Sequence, residues 1–245
     1  MRALVIAVVL GVSVAARSQT PLPAAYCPVG AKPPSCGFLP SDAQVRRAEV
    51  GASKLRYVAF ALYMKCISKA VIERRQDQAA YDRCTIDAMA RAINRFNALE
   101  STPSCQNFSQ IALNLLALSK VMARRVYCNG TVPLTFGVAG RVPADSAVAR
   151  VERGASKLLV REYQQMVRCY GDGVESLARG RTGTIARCVA RLRAIQERRM
   201  MRLDFGLPGF GRLGCFDEAA GTGIRQLLAQ IDAAANLNAQ IFCSL

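Results

Sequence analysis

The chain contains no histidine and no tryptophan. Without histidine, the commonest general base and the usual partner of serine or cysteine nucleophiles is missing. No two cysteines stand in CxxC spacing, so zinc-finger, haem-attachment and thioredoxin-like chemistry are excluded as well. Alternating strand patterns are almost absent. Beyond the N-terminal segment, no apolar run approaches the roughly 18 residues that a membrane span needs. Acidic residues are scarce, 17 against 33 lysines and arginines, and aromatics make up only 7%.

What is present starts with the leader. Arg2 precedes an apolar run over 3–16, and Val14-Ala15-Ala16 puts small residues where a signal peptidase cuts. The run is too short to span a bilayer, so residues 1–16 read as a cleaved secretory signal. All ten cysteines follow it. An even number in an exported chain reads as disulfide staples rather than metal ligands.

The net charge is +16, carried by 27 arginines and six lysines spread over both halves. Such a surface attracts polyanions. Export, the lack of tryptophan and the lack of interleaved aromatics argue against nucleic acid and leave anionic lipid or acidic glycan. Solubility and a preference for arginine codons account for the same charge without any partner.

The strongest pattern is internal. GASKL occurs at 51–55 and again at 154–158, an offset of 103, and each copy leads on to a cysteine, Cys66 and Cys169. Asp42 and Asp145 share that offset; Tyr26-Cys27 and Tyr127-Cys128 recur at 101, and Arg83-Cys84 and Arg187-Cys188 at 104. So many landmarks in order read as a tandem duplication. Each copy reads as three helices, the first starting near Ser41-Asp42 and near Asp145-Ser146, whose side chains can cap a first turn. Ser41 with Gln44 has capping-box spacing. Val45, Ala48, Ala52 and Leu55, matched by Val148, Val151, Ala155 and Leu158, form one buried helical stripe. The third helix of the first copy, with IALNLLAL, is the most apolar and is expected to be the most buried. The expected class is therefore all-α, as two tandem three-helix modules cross-linked by disulfides. The boundaries are 17–40 for an irregular leader segment, 41–128 for the first module, 129–144 for a linker and 145–245 for the second module.

Residues equally far from the turn of a helical hairpin lie level with each other. Cys66 with Cys84, and Cys169 with Cys188, meet that condition and are expected to bridge. Cys105 and Cys128 sit at opposite ends of a helix over 30 Å long at about 1.5 Å per residue, so they cannot pair with each other. Repeat logic suggests Cys27–Cys105 and Cys128–Cys215, leaving Cys36 and Cys243 over, but ten cysteines allow very many connectivities.

SKLRYVAFALYMKCISKA followed by YDRCTIDAMARAINRFN resembles a loose class of secreted, alanine-rich bacterial helical proteins of uncharacterised role. Members carry Lys-Cys on one helix and a second cysteine about eighteen residues on. The resemblance implies an exported, stapled bundle and no particular activity. This chain favours arginine where the class favours lysine.

Candidates for chemistry are few. GFGRLG at 209–214 fits GxGxxG, but it lies between helices and outside any strand–helix unit, so a flexible loop explains it better. Asp82 with Asp87, or Asp42 with Glu49, are the carboxylate pairs on offer. No enzyme and no cofactor is expected, and the chain reads as an exported binding or structural module. The alternative is a basic lipid- or membrane-interacting protein. Its anion-binding candidates are Arg187, Arg191, Arg198 and Arg202, which fall within about 60° of one another at 100° per residue. A solvated helix face is the plain account of that stripe. Gly51 and Gly154 stand inside helices at a cost of roughly 1 kcal/mol against alanine. Gly-Ala-Ser is thus read as a place where another segment packs closely.

Overall fold

A computed structural model describes residues 20–24, 37–73, 77–99, 108–128, 130–143 and 145–205. It is all-α, with five helices and one two-stranded pairing among the described residues. The leader at 1–16, the 209–214 motif and the third helix of the second copy lie outside the described residues.

Helix α1 spans Ala43–Ile72. Its N-cap is Asp42, whose carboxylate accepts from the backbone N–H groups of Gln44 and Val45. Asp42 thus takes the role expected of Ser41, because its oxygen reaches two orphan donors of the first turn. Helix α4, Ser146–Ala178, repeats the device with Asp145 accepting from Ala147 and Val148. Helix α2 is Gln78–Asn97, α3 is Phe108–Val126 and α5 is Thr184–Phe205.

Two hairpins are stapled as their spacing required. Cys66 and Cys84 are bonded with Cα atoms 5.8 Å apart, and so are Cys169 and Cys188. Cys128 is disulfide-bonded too. Cys27, Cys36, Cys105, Cys215 and Cys243 lie outside the described residues.

Helices α1 and α4 cross antiparallel. The contacts between them run in opposite sequence directions: Arg46 with Glu175, Tyr57 with Arg168, Phe60 with Tyr163 and Ser68 with Ser156. Around this pair the buried apolar residues form one continuous cluster, from Leu22 through all five helices to Ile185. Helix α3 is not its most enclosed element. Leu113 and Val121 on it are 47% and 48% exposed, while Phe60, Tyr63, Leu159 and Tyr163 of α1 and α4 are fully buried. An apolar run marks a helix as able to be buried; which helix is flanked on two sides is a matter of assembly.

Two segments expected to be irregular do more than connect. Thr20–Pro21 (β1) pairs antiparallel with Phe38–Leu39 (β2), and the Leu22 N–H donates to the Gly37 carbonyl. Residues 130–143 hold one isolated bridge, Pro133 with Arg141, yet bury Leu134, Phe136 and Val138. Phe136 lies 4.7 Å from the Tyr81 ring of α2, so this linker covers the core.

The small residues of GASKL meet different neighbours. Ser53 and Ser156 are buried at the α1–α4 crossing. Gly51 turns elsewhere: a Cβ there would stand 3.3 Å from Leu99 Cδ2 at the end of α2. A leucine at Gly51 gains helix propensity but overpacks that contact. Gly51→Leu is expected to lose about 1–2 kcal/mol net, read as a lower midpoint in thermal unfolding. Gly154 is half-buried on α4.

Candidate functional site

The antiparallel crossing leaves a groove of about 460 Å³ between the second half of α1 and the first half of α4. Helical periodicity decides what lines it. Ala61, Met64, Ser68 and Ile72 follow steps of three and four along α1, while Arg153, Ser156 and Val160 do so along α4. The floor is therefore apolar, with Met64 buried and Ala61, Ile72 and Val160 half-buried.

Cations surround that floor. Lys65, Lys69, Arg153 and Lys157 line the groove and are all exposed. The one carboxylate among the lining residues, Glu73, stands 4.0 Å from Lys69. Long basic side chains lay their methylenes on apolar surface and keep their charge in water, which makes a cationic rim over a greasy trough.

Hydroxyls close one side. Ser68 Oγ and Tyr127 Oη share a hydrogen bond at 2.5 Å, and Ser68 Oγ lies 3.2 Å from Ser156 Oγ. Tyr127 follows the end of α3 and is fully buried, so α3 delivers it beneath the crossing. Burial pushes its phenol above the ordinary tyrosine range, against the pull of its bonds to Ser156 and Ser68. The phenol therefore stays protonated behind the groove, and the hydroxyls of Ser68 and Ser156, which line it, can re-aim their hydrogens toward an oxygen there.

In comparisons with known proteins, no family model, no curated protein and no solved structure matches the chain.

The residues singled out in the sequence are distributed differently. Arg187, Arg191, Arg198 and Arg202 are all exposed on α5 and make no ion pair among the described residues; Arg198 Nε donates to the Ala194 carbonyl within the helix. None of them lines the groove. The carboxylate pairs do not assemble. Asp42 is occupied as a cap while Glu49 is fully buried two turns on. Asp82 accepts from Gln78 Nε2, and Asp87 lies five residues further round the same exposed helix. Among the described residues no cluster of three Cys, Asp or Glu stands ready for a metal ion. No described helix is long and apolar enough to cross a membrane.

Of the groove residues, Ser156 and Lys157 stood out in the sequence, as letters of GASKL whose small residues suggested close packing. Ser68 and Ser156 are 88 positions apart, and no local pattern announces that they meet. The one usable signal was the recurrence of GASKL, since small residues at a crossing allow a close partner.

Proposed function

We propose that this chain is an exported, non-enzymatic helical module that binds an anionic amphiphile in the α1–α4 groove. The carrying observation is the arrangement of four cations around an apolar trough of about 460 Å³, a size within the range of about 300–1,000 Å³ usual for small-molecule sites. An acyl chain would lie along Met64, Ile72 and Val160. Its carboxylate or phosphate would meet Arg153 and Lys157, with a hydrogen bond from Ser68 or Ser156. The titratable groups lining the groove are cations and one exposed carboxylate beside a lysine, a set that holds an anion better than it moves a proton.

Export agrees with the two disulfides, which persist in oxidising compartments. The arginines of α5 offer a further anionic contact that suits a phospholipid surface.

Binding of palmitate and of palmitoyl lysophosphatidylglycerol, measured by calorimetry at low and high salt, tests the reading. Arg153→Glu with Lys157→Glu is expected to weaken both by roughly tenfold or more, the equivalent of about 1.4 kcal/mol. An uncharged single-chain detergent should show little change between the two proteins. Tight palmitate binding with weak lysophospholipid binding would identify a free fatty acid site, and the reverse a lipid headgroup site. Equal affinity of wild type and variant for both anions would remove the proposal.

A further inference from the structure

Phe60 and Tyr163 meet at the centre of the α1–α4 crossing with ring centroids 4.9 Å apart and the rings tilted by 58°. Their numbers differ by 103, the same offset that separates Gly51 from Gly154 and Cys66 from Cys169. A residue that touches its own repeat counterpart marks a two-fold axis. Contacts away from this pair obey the same operation. Ser68 meets Ser156 on one side. On the other, their counterparts Gly171 and Ser53 meet, since a Cβ on Gly171 would lie 3.8 Å from Ser53 Oγ.

An axis of this kind requires a second groove, lined by the counterparts of the first. Those counterparts have changed in ways that close it. Val160 becomes Tyr57 and Lys65 becomes Arg168, and the Arg168 guanidinium sits 6.0 Å from the centre of the Tyr57 ring, within cation–π range. Ser68 becomes Gly171 and Arg153 becomes Val50, whose Cγ1 lies 3.3 Å from where a Gly171 Cβ would stand. The missing side chain lets the helices draw together there. The charge has changed as well. Lys69 is replaced by Asp172 and Ile72 by Glu175, which pairs with Arg46 at 3.5 Å, so the second side offers carboxylates where an anion would enter.

We infer that α1 and α4 are copies of one duplicated helix related by a local two-fold axis, and that Tyr57 and Arg168 plug the second of two equivalent amphiphile grooves. The chain is thereby a receptor with one open site, on the Ser68 face. The ligand class rests on the amphiphile reading above; the two-fold relation and the plug do not.

The test exchanges side chains between the two faces of the full chain, with palmitate counted by native mass spectrometry. Wild type is expected to take up one molecule. Val160→Tyr with Lys65→Arg installs the plug in the open groove and should abolish uptake. Tyr57→Val with Arg168→Lys and Asp172→Lys installs the open lining on the closed side and should raise uptake to two. Undiminished uptake by the first variant, or uptake of one by the second when both retain the wild-type far-ultraviolet circular dichroism, overturns the inference. If a variant fails to fold, Val160→Tyr alone or Tyr57→Val alone takes its place. Should wild type bind no palmitate, the count is made with palmitoyl lysophosphatidylglycerol; should it bind neither, the amphiphile reading falls and crystal structures of the same variants decide. A cavity lost beside Ser68 in the first and gained beside Gly171 in the second sustains the plug, and unchanged cavities refute it.

Discussion

The chain is expected to lose stability steeply between pH 10 and pH 12. Burial pushes the phenols of Tyr63, Tyr81 and Tyr163 up to about 12 from an ordinary value of 10. Asp82 and Tyr63 push Tyr81 the same way, while Arg56 pulls Tyr163 modestly back. In the unfolded chain these groups lose their protons near pH 10. Between the two values the unfolded state binds fewer protons than the folded one, so stability falls as pH rises. The stabilisation is fully present below pH 10 and is lost through pH 12. Each tyrosine contributes a slope of about 1.4 kcal/mol per pH unit. Three together amount to about 4 kcal/mol per unit, against a total stability on the order of 5–15 kcal/mol for a typical domain. Tyrosinate absorbance and helical circular dichroism, followed in one titration, check this. The three buried phenols should titrate only as helicity disappears. Full ionisation near pH 10 with the helices intact would show that burial does not hold these protons.

Removing the staples is the second large effect. Cys66–Cys84 closes a separation of 18 residues and Cys169–Cys188 one of 19. Loops of that size give about 3 kcal/mol each in the chain-entropy account. Each paired replacement by alanine should therefore lower the thermal midpoint by about 6–12 °C, at 2–4 °C per kcal/mol for a chain of this size. Cys66 and Cys169 are also buried, at 5% and 2% exposure, so their loss removes packing in the core as well. The two staples hold different hairpins, α1 with α2 and α4 with α5, and their effects should add within a few tenths of a kcal/mol. Calorimetry of both double variants and of the quadruple variant measures this. A midpoint unmoved in both double variants would mean that helix packing alone holds the hairpins.

Arg56 shows what these helices tolerate in between. It is 1% exposed in the middle of α1, and burial depresses its guanidinium from the usual arginine value. Its counterpart at the 103 offset is Leu159, also fully buried. With arginine at one of these matching core positions and leucine at the other, the two faces of the crossing differ in polarity as well as in size.

Much of this was legible in the sequence because it depends on short separations. The caps Asp42 and Asp145 act within three residues and the two staples within a hairpin; of the expected stripes, Ala48, Ala52, Val148, Val151 and Ala155 are buried within a few turns, while Val45, Leu55 and Leu158 are half-buried. Each leaves a pattern in a window of about twenty residues. Other features were not legible. Ser41 and Asp42 both qualified as caps, and only backbone placement chose Asp42. The apolar run of α3 promised burial, yet α3 ends on the outside because α1 and α4 take the centre. The arginine stripe of α5 is where its periodicity put it, but it stands apart from the groove.

The amino-acid sequence by itself determined the helical class, the helix starts, the hairpin staples and the basic character, since each follows from local periodicity, spacing or composition. It also carried the 103-residue offset. Tertiary structure alone decided that the two GASKL helices lie antiparallel against each other, with Phe60 on Tyr163, and that a groove stays open on one side of their crossing while Tyr57 and Arg168 meet on the other. Those outcomes depend on contacts between residues roughly a hundred positions apart. There a valine exchanged for a tyrosine, or a serine for a glycine, leaves the helical pattern intact and changes only the shape of the space between the helices.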